Sequence, residues 1–157
     1  MRRSIPRPAA HCIYGLTTCL APTHCPAMNG ATNNTPSATT SLAPYQGSDV
    51  NTIDAMINIA APAANFRLLD LGCGDGRILI RALTHHSCAA AVGVEASLDI
   101  KQLADAHVTA SLEPERRRQF KVVLGDALDE AISLAEFDVV TMFLLPVGLA
   151  AIGPRIT

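Results

Sequence analysis

A chain of 157 residues with a formal net charge of −2 is long enough for one domain and lacks the cationic excess that would make nucleic acid an expected partner. Its most apolar stretch, residues 139–152, is interrupted by Thr141, Pro146 and Gly148, so no run reaches the roughly 18 residues of a membrane-spanning helix. The five cysteines, Cys12, Cys19, Cys25, Cys73 and Cys88, are odd in number and irregular in spacing, which reads as reduced thiols; His11-Cys12 and His24-Cys25 lack a C-x-x-C partner, so no metal site is expected.

Residues 1–44 differ from the rest. They hold Arg2, Arg3 and Arg7, many Ser, Thr, Pro and Asn, and no acid; the first is Asp49. An Arg- and Ser-rich, acid-poor start has the composition of an organelle transit peptide, and a disordered tail has it equally. The first reading gives an organelle address, the second a cytoplasmic one. A folded domain is expected over residues 45–157. Ser48 is placed to cap a helix with Asp49 in its first turn, and Val50, Ile53, Met56, Ile57 and Ala60 fall on one helical face. This helix would wall a ligand site or simply pack.

Residues 66–71 form an almost unbroken apolar run, suited to a parallel strand buried on both faces. The longer segment 68–80 reads LLDLGCGDGRILI: strand, glycine turn, helix start. A turn of this kind needs backbone with positive φ, and the following helix aims its N–H groups and dipole at the same place, so a small anionic or dipolar ligand should sit above Gly72, Gly74 and Gly76. The dinucleotide fingerprint G-x-G-x-x-G would need a glycine where Arg77 stands. In the helix, Ile78, Leu79, Ala82 and Leu83 are the expected core, Arg77 and Arg81 are expected in solvent, and His85 and His86 close its C-terminal end.

Residues 89–94 make the next strand, followed at once by Glu95, about 20 residues after the glycine turn, where a carboxylate accepts hydrogen bonds from ribose hydroxyls. Ser97 caps a helix whose buried stripe would be Ile100, Leu103, Ala104, His107 and Val108. The run Arg116, Arg117 and Arg118 reads as a solvated turn. Residues 120–124 are a third strand ending in Gly125, Asp126 and Ala127, where an acid can accept from an adenine amino group. A short helix over 129–134 and a fourth strand over 137–145, FDVVTMFLL, ended by Pro146, complete the pattern. Alternating strands and helices predict an α/β fold with a parallel sheet.

The segments LLDLGCGDGRILI, AVGVEAS, VVLGDALDE and FDVVTMFLLP resemble, in this order, the class I S-adenosylmethionine-dependent methyltransferases. More narrowly, DLGCGDGRILI, VGVE, VVTMFLLP and the helix in PYQGSDVNTIDAMINIA resemble the mitochondrial protein-lysine methyltransferases of the ATP synthase c subunit and the adenine nucleotide translocase, and their bacterial relatives. The resemblance implies a Rossmann-like three-layer sandwich, S-adenosylmethionine as cofactor and a protein lysine as acceptor. It assigns Asp70 and the backbone of Gly72, Gly74 and Gly76, with Cys73 in the same turn, to the methionine part, Glu95 to the ribose, and Asp126 with Ala127 to the adenine. Leu144, Leu145 and Pro146 would meet the methyl group and the nucleophile, with Tyr45 lining that pocket. It names no catalytic residue.

The family sheet has seven strands in the order 3-2-1-4-5-7-6, the last antiparallel, and only about four are expected here. The fourth would be a bare apolar edge, so either the gene product is truncated or a partner covers that edge. Ala96-Ser97 stands where relatives often carry an acid or a proline. Three other readings remain beside the protein-lysine one. They are an inactive cofactor-binding fragment or regulatory partner, a small-molecule methyltransferase, and an NAD-type oxidoreductase, against which Arg77 speaks.

Overall fold

The apolar run of residues 66–71 becomes the middle of a parallel sheet. The computed structural model describes residues 11–14, 47–60, 62–142 and 146–155. Its strands are β1 (His11–Tyr14), β2 (Arg67–Leu71), β3 (Ala90–Glu95), β4 (Phe120–Leu124) and β5 (Val139–Met142), arranged as β1-β5-β2-β3-β4. The helices are α1 (Val50–Ala60), α2 (Arg77–His85), α3 (Leu98–Ser111), α4 (Pro114–Arg117) and α5 (Pro146–Ile152). Single 3-10 turns lie at Leu134–Glu136 and Gly153–Arg155.

Strand residues alternate between the two faces. Leu68, Ala91, Val122 and Val139 point to the face covered by α1, α2 and α3, where they meet Ile53, Ile57, Leu79, Ala82, Leu83 and Ala104. Leu69, Leu71, Val94, Val140 and Met142 point to the other, against Ala127 and Ile152. Burying each such Leu or Val contributes about 1.5–3 kcal/mol, and β2 and β5 do so on both faces. The register sets Asp70 beside Gly93 on one side and Thr141 on the other.

The structure departs from the sequence reading in several places. Asp49, and not Ser48, caps α1: its Oδ1 accepts the N–H groups of Asn51 (3.0 Å) and Thr52 (3.1 Å), and Oδ2 accepts the Thr52 hydroxyl (2.6 Å). Val50 then falls outside the buried stripe, at 53% exposure. In α3 only Ala104 and Val108 are buried, while Leu103 is 51% exposed and His107 is on the surface. Residues 129–134 are not a helix. The Asp129 side chain accepts the Ala131 N–H (2.9 Å), a local bond that competes with helical pairing, and the regular turn comes later at Leu134–Glu136. β5 begins at Val139, two residues later than expected, and Pro146 opens α5, a position its fixed φ suits.

The bare edge expected at β5 is occupied. His11–Tyr14, within the segment read as a tail or transit peptide, pairs in parallel with Val139–Met142. The basic run also has work within the fold. Arg116 Nη1 donates to Leu83 O (2.8 Å) at the end of α2. Arg117 donates to Leu112 O (2.8 Å) and Thr109 O (2.7 Å) at the end of α3.

Arg81, read as solvated, ties α2 to α1. Its Nε and Nη2 donate to Asp54 Oδ1 (2.8 Å) and Oδ2 (2.7 Å), and His86 Nε2 lies 2.7 Å from Asp54 Oδ1. The Arg81 hydrogen bonds first, then His86, hold the Asp54 carboxyl well below its ordinary value of 3.8. A depressed folded-state pKa gives stability that is full above the unfolded value and fades as pH falls below it. Asp54→Asn is therefore expected to lower Tm at pH 7, with a gap to wild type that narrows at pH 3. Circular dichroism melts at both pH values check this, and equal gaps would refute it.

Candidate functional site

All four inner and outer strands that the sequence predicts end on one edge of the sheet, and the chemistry gathers there. β2 delivers Asp70 and Leu71 into a turn where Gly72, Gly74 and Gly76 have φ of 81°, 56° and 77°, values that side chains with a β-carbon resist. The turn is bolted to the end of β3. The N–H groups of Gly72 and Cys73 both donate to Val94 O (2.9 and 3.0 Å), and Gly76 N–H donates to Cys73 O (3.0 Å). Gly74 N–H donates to Glu95 Oε2 (3.0 Å), while Glu95 Oε1 accepts Ser97 N–H (2.9 Å) at the cap of α3. The expectation of free turn N–H groups waiting for an anion is thus corrected at these four amides, each of which already has an acceptor. What the turn offers is close backbone approach and two carboxylates, Asp70 and Glu95. An ionised carboxylate has about four acceptor positions, and Glu95 uses two of them here, leaving two for ribose hydroxyls.

Cys73 contributes backbone, not side chain. Its thiol is buried and packs against Gly93, and burial pushes its pKa up, with Asp70 and Glu95 adding to the effect. A β-carbon on Gly93 would lie 2.7 Å from Cys73 Cβ and 2.8 Å from Leu79 Cδ1. Gly93 in mid-strand is therefore the space into which the turn seats.

Asp70 is 2% exposed. Thr141 Oγ1 donates to its Oδ1 (2.8 Å), and among the described residues its buried Oδ2 has no partner. Burial raises the Asp70 pKa to about 7; the Thr141 bond works against the shift and the Glu95 charge with it. Asp75, also buried, is neutralised differently. Arg77 donates to it through Nε (2.9 Å to Oδ1) and Nη2 (2.7 Å to Oδ2), and His107 Nδ1 lies 3.4 Å from Oδ2. Arg77 Nη1 donates to Ser48 O (3.3 Å), and a β-carbon on Gly47 would strike the guanidinium. Arg77, read as solvated, thus clamps the entry of α1 onto the glycine turn.

Asp126 and Ala127 follow β4 on the same edge, where Gly125 N–H donates to Glu95 O (2.9 Å). Asp126 Oδ1 accepts Leu128 N–H (2.9 Å), and Ala127 is buried. Tyr45, Leu144 and Leu145 lie outside the described residues, and Pro146 is the first residue of α5. Sequence reasoning gave Thr141, Arg77 and His107 no part in the site. Thr141 had a signal, being a polar residue inside an apolar strand; the Arg77 and His107 contacts had none. A hollow of about 410 Å³ at the opposite edge is lined by Asn65, Ser87, Cys88, Ala89, Arg116 and Gln119. It holds no carboxylate, and its Arg116 is bonded to Leu83 O and Gln119.

Residues 68–151 match the family model of the methyltransferase domain. The chain belongs to that family. A protein-lysine N-methyltransferase of Saccharolobus islandicus (strain REY15A) is 33% identical over 102 residues, which are 65% of this chain and 60% of that protein. The chain thus spans about 60% of the length of that curated relative. An RNA methyltransferase from Salinibacter ruber, solved with S-adenosyl-L-homocysteine, superposes with a TM-score of 0.62 at 29% identity, covering 71% of this chain and 69% of that one. A dimethyladenosine transferase from Plasmodium falciparum shares the fold, with a TM-score of 0.54 at 17% identity over 69% of this chain and 35% of that one.

The cofactor of this methyltransferase domain is S-adenosylmethionine. The site fits it: a buried carboxylate oxygen without a partner among the described residues suits a cationic ligand, and the seated turn lets that ligand approach the backbone. Gly93→Ala is expected to unseat Cys73 and destabilise the domain by about 1–3 kcal/mol through overpacking. Urea unfolding monitored by circular dichroism measures this, and an unchanged midpoint would show that the turn does not depend on that space.

Proposed function

We propose that this chain is a methyltransferase domain that moves a methyl group from S-adenosylmethionine to a lysine side chain of a protein. The observation that carries the cofactor half is Glu95, whose carboxylate closes on Gly74, 21 residues earlier, while keeping acceptor capacity for ribose. Support for lysine comes from the 33% identity to a protein-lysine N-methyltransferase, and support for a protein over a polynucleotide from the net charge of −2.

When bound, S-adenosylmethionine supplies a methyl group on a positively charged sulfur, an electrophile that is already activated. The protein's task is alignment and exclusion of water. Glu95 anchors the ribose end, Asp70 accepts from the ammonium end, and the turn fixes the distance between them. Asp126 with Ala127 bounds the adenine. A lysine acceptor reaches the site as an ammonium and must shed a proton, which a desolvated pocket favours by lowering its pKa. No base is assigned among the described residues.

The Salinibacter ruber relative favours a second reading, with RNA as acceptor. Incubation with S-adenosylmethionine carrying a labelled methyl, against a lysine-rich protein extract and against RNA, separates the two: label in a protein band supports the first, label in RNA the second. Label in neither, with cofactor binding intact, supports a cofactor-binding fragment. Calorimetry of the full chain is expected to show saturable S-adenosylmethionine binding, weakened at least about tenfold in Glu95→Ala, since hydrogen bonds to a charged group contribute about 1.5–3 kcal/mol. Unaltered affinity in the variant would remove Glu95 from the site.

The composition of residues 1–44 supports an organelle address, and the resemblance to mitochondrial protein-lysine methyltransferases supports the mitochondrion as that organelle. Residues 1–50 fused to a fluorescent protein are expected to reach mitochondria, and a cytosolic signal would reverse that assignment.

A further inference from the structure

Thr141 stands between two valines' worth of apolar strand and the cofactor edge. It is 1% exposed, and its partner in the register of β2 is Asp70. Its hydroxyl has one proton to give and two oxygens in range, Asp70 Oδ1 at 2.8 Å and Leu69 O at 3.4 Å. The shorter contact decides: the proton goes to Asp70. This fixes the carboxylate by one oxygen and leaves Oδ2 buried with no partner among the described residues. A buried acceptor is costly to leave without a donor, so this arrangement is built for one that arrives with a ligand.

We propose that Thr141 is a positioning residue for the cofactor: its hydroxyl pins Oδ1 of Asp70 so that Oδ2 receives the α-ammonium group of S-adenosylmethionine. The inference rests on the methyltransferase reading of the site and deepens it. The proton balance is simple. The ammonium keeps its protons and donates a hydrogen bond. Asp70, where it was protonated, loses one proton and becomes the counter-charge. No bond to carbon is made or broken.

The surroundings set the pH range. The titratable and charged groups about Asp70 among the described residues are Glu95 at the end of β3 and Cys73 and Asp75 in the turn, with Arg77 of α2 and His107 of α3 both held by Asp75. β5 offers Thr141 alone. The Arg77 charge is thus paired with Asp75, and Glu95 opposes a second negative charge. Asp70 titrates near 7, so the empty chain binds the proton increasingly below that pH. A cationic ligand favours the deprotonated form, so affinity falls as pH drops through this range. Thr141→Val keeps shape and removes the hydrogen bond that opposes the shift, which moves the dependence to higher pH. Thr141→Ser restores the hydroxyl.

The test is calorimetric titration of the full chain with S-adenosyl-L-homocysteine, which has the ammonium and lacks the sulfonium charge, between pH 6 and pH 8 in two buffers of different ionisation heat. Wild type is expected to bind about tenfold more weakly at pH 6 than at pH 8 and to release most of one proton at pH 6. Thr141→Ser should follow wild type, and Thr141→Val should show its fall in affinity at higher pH. A merely structural role for Thr141 would change affinity without moving that pH dependence. Binding without proton release by wild type, or the same pH dependence in Thr141→Val, overturns the inference and leaves the methyltransferase reading standing. No binding by the folded wild type overturns both.

Discussion

The hydrogen bond from Gly74 N–H to Glu95 Oε2 joins the first turn of the domain to the end of its second inner strand, and the site depends on it. With the two N–H groups that converge on Val94 O, it makes the end of β3 the abutment for the whole glycine turn. Neither piece makes a site alone. The turn without Glu95 loses one of its fastenings, and Glu95 without the turn is a loop acid. Gly93 completes the joint by leaving room for Cys73. Because these bonds are made within the protein, the ligand meets a turn already in shape, and little ordering remains to be done on binding.

The same few residues hold three carboxylates close together, and each is treated differently. Asp75 is neutralised by Arg77, with His107 nearby. Glu95 is stabilised by two backbone N–H groups. Asp70 has the Thr141 hydroxyl and the repulsion of Glu95, and burial raises its pKa to about 7. Protein groups thus offset the charge of Asp75 and Glu95, while Oδ2 of Asp70 has no partner among the described residues. The clamp on Asp75 also reaches outward, since the Arg77 guanidinium that grips it carries Ser48 O and so the start of α1. The electrostatics of the turn and the position of α1 are one arrangement.

How much of this is legible in the sequence follows from how local each feature is. The strands, the glycine turn, Glu95 and the Ser97 cap are patterns confined to a few neighbouring residues, and periodicity exposes them. Asp49 and Ser48 are adjacent and both able to cap, so the choice between them waits on backbone direction. Arg81 and Asp54 lie on different helices, and only packing brings them within 2.7 Å. The helix expected over 129–134 loses to a bond inside its own loop at Asp129. His11–Tyr14 carries no signal within a stretch rich in Ser, Thr and Pro, because a four-residue strand on the border of a sheet is specified by its neighbour. Thr141 is the intermediate case: its oddness in an apolar strand is visible, but its partner lies 71 residues away.

The sheet order explains why the cofactor edge forms where it does. From β2 the chain steps to β3 and then β4 in one direction, while β5 returns to the opposite side of β2. The connections therefore part on either side of the β2–β5 boundary, and in open parallel sheets ligands bind outside the carboxyl ends of the strands at such a parting. Asp70 and Thr141 face each other across this boundary, and the glycine turn leaves β2 directly above it. The position comes from topology and would exist for any side chains. What these residues add is sign: a buried carboxylate whose Oδ2 has no partner among the described residues stands at the parting point with Glu95 on the next strand, which suits a ligand that carries positive charge at one end and hydroxyls along its length. A dinucleotide, with phosphates to place over the same turn, would meet two carboxylates and amides already engaged with Val94, Cys73 and Glu95.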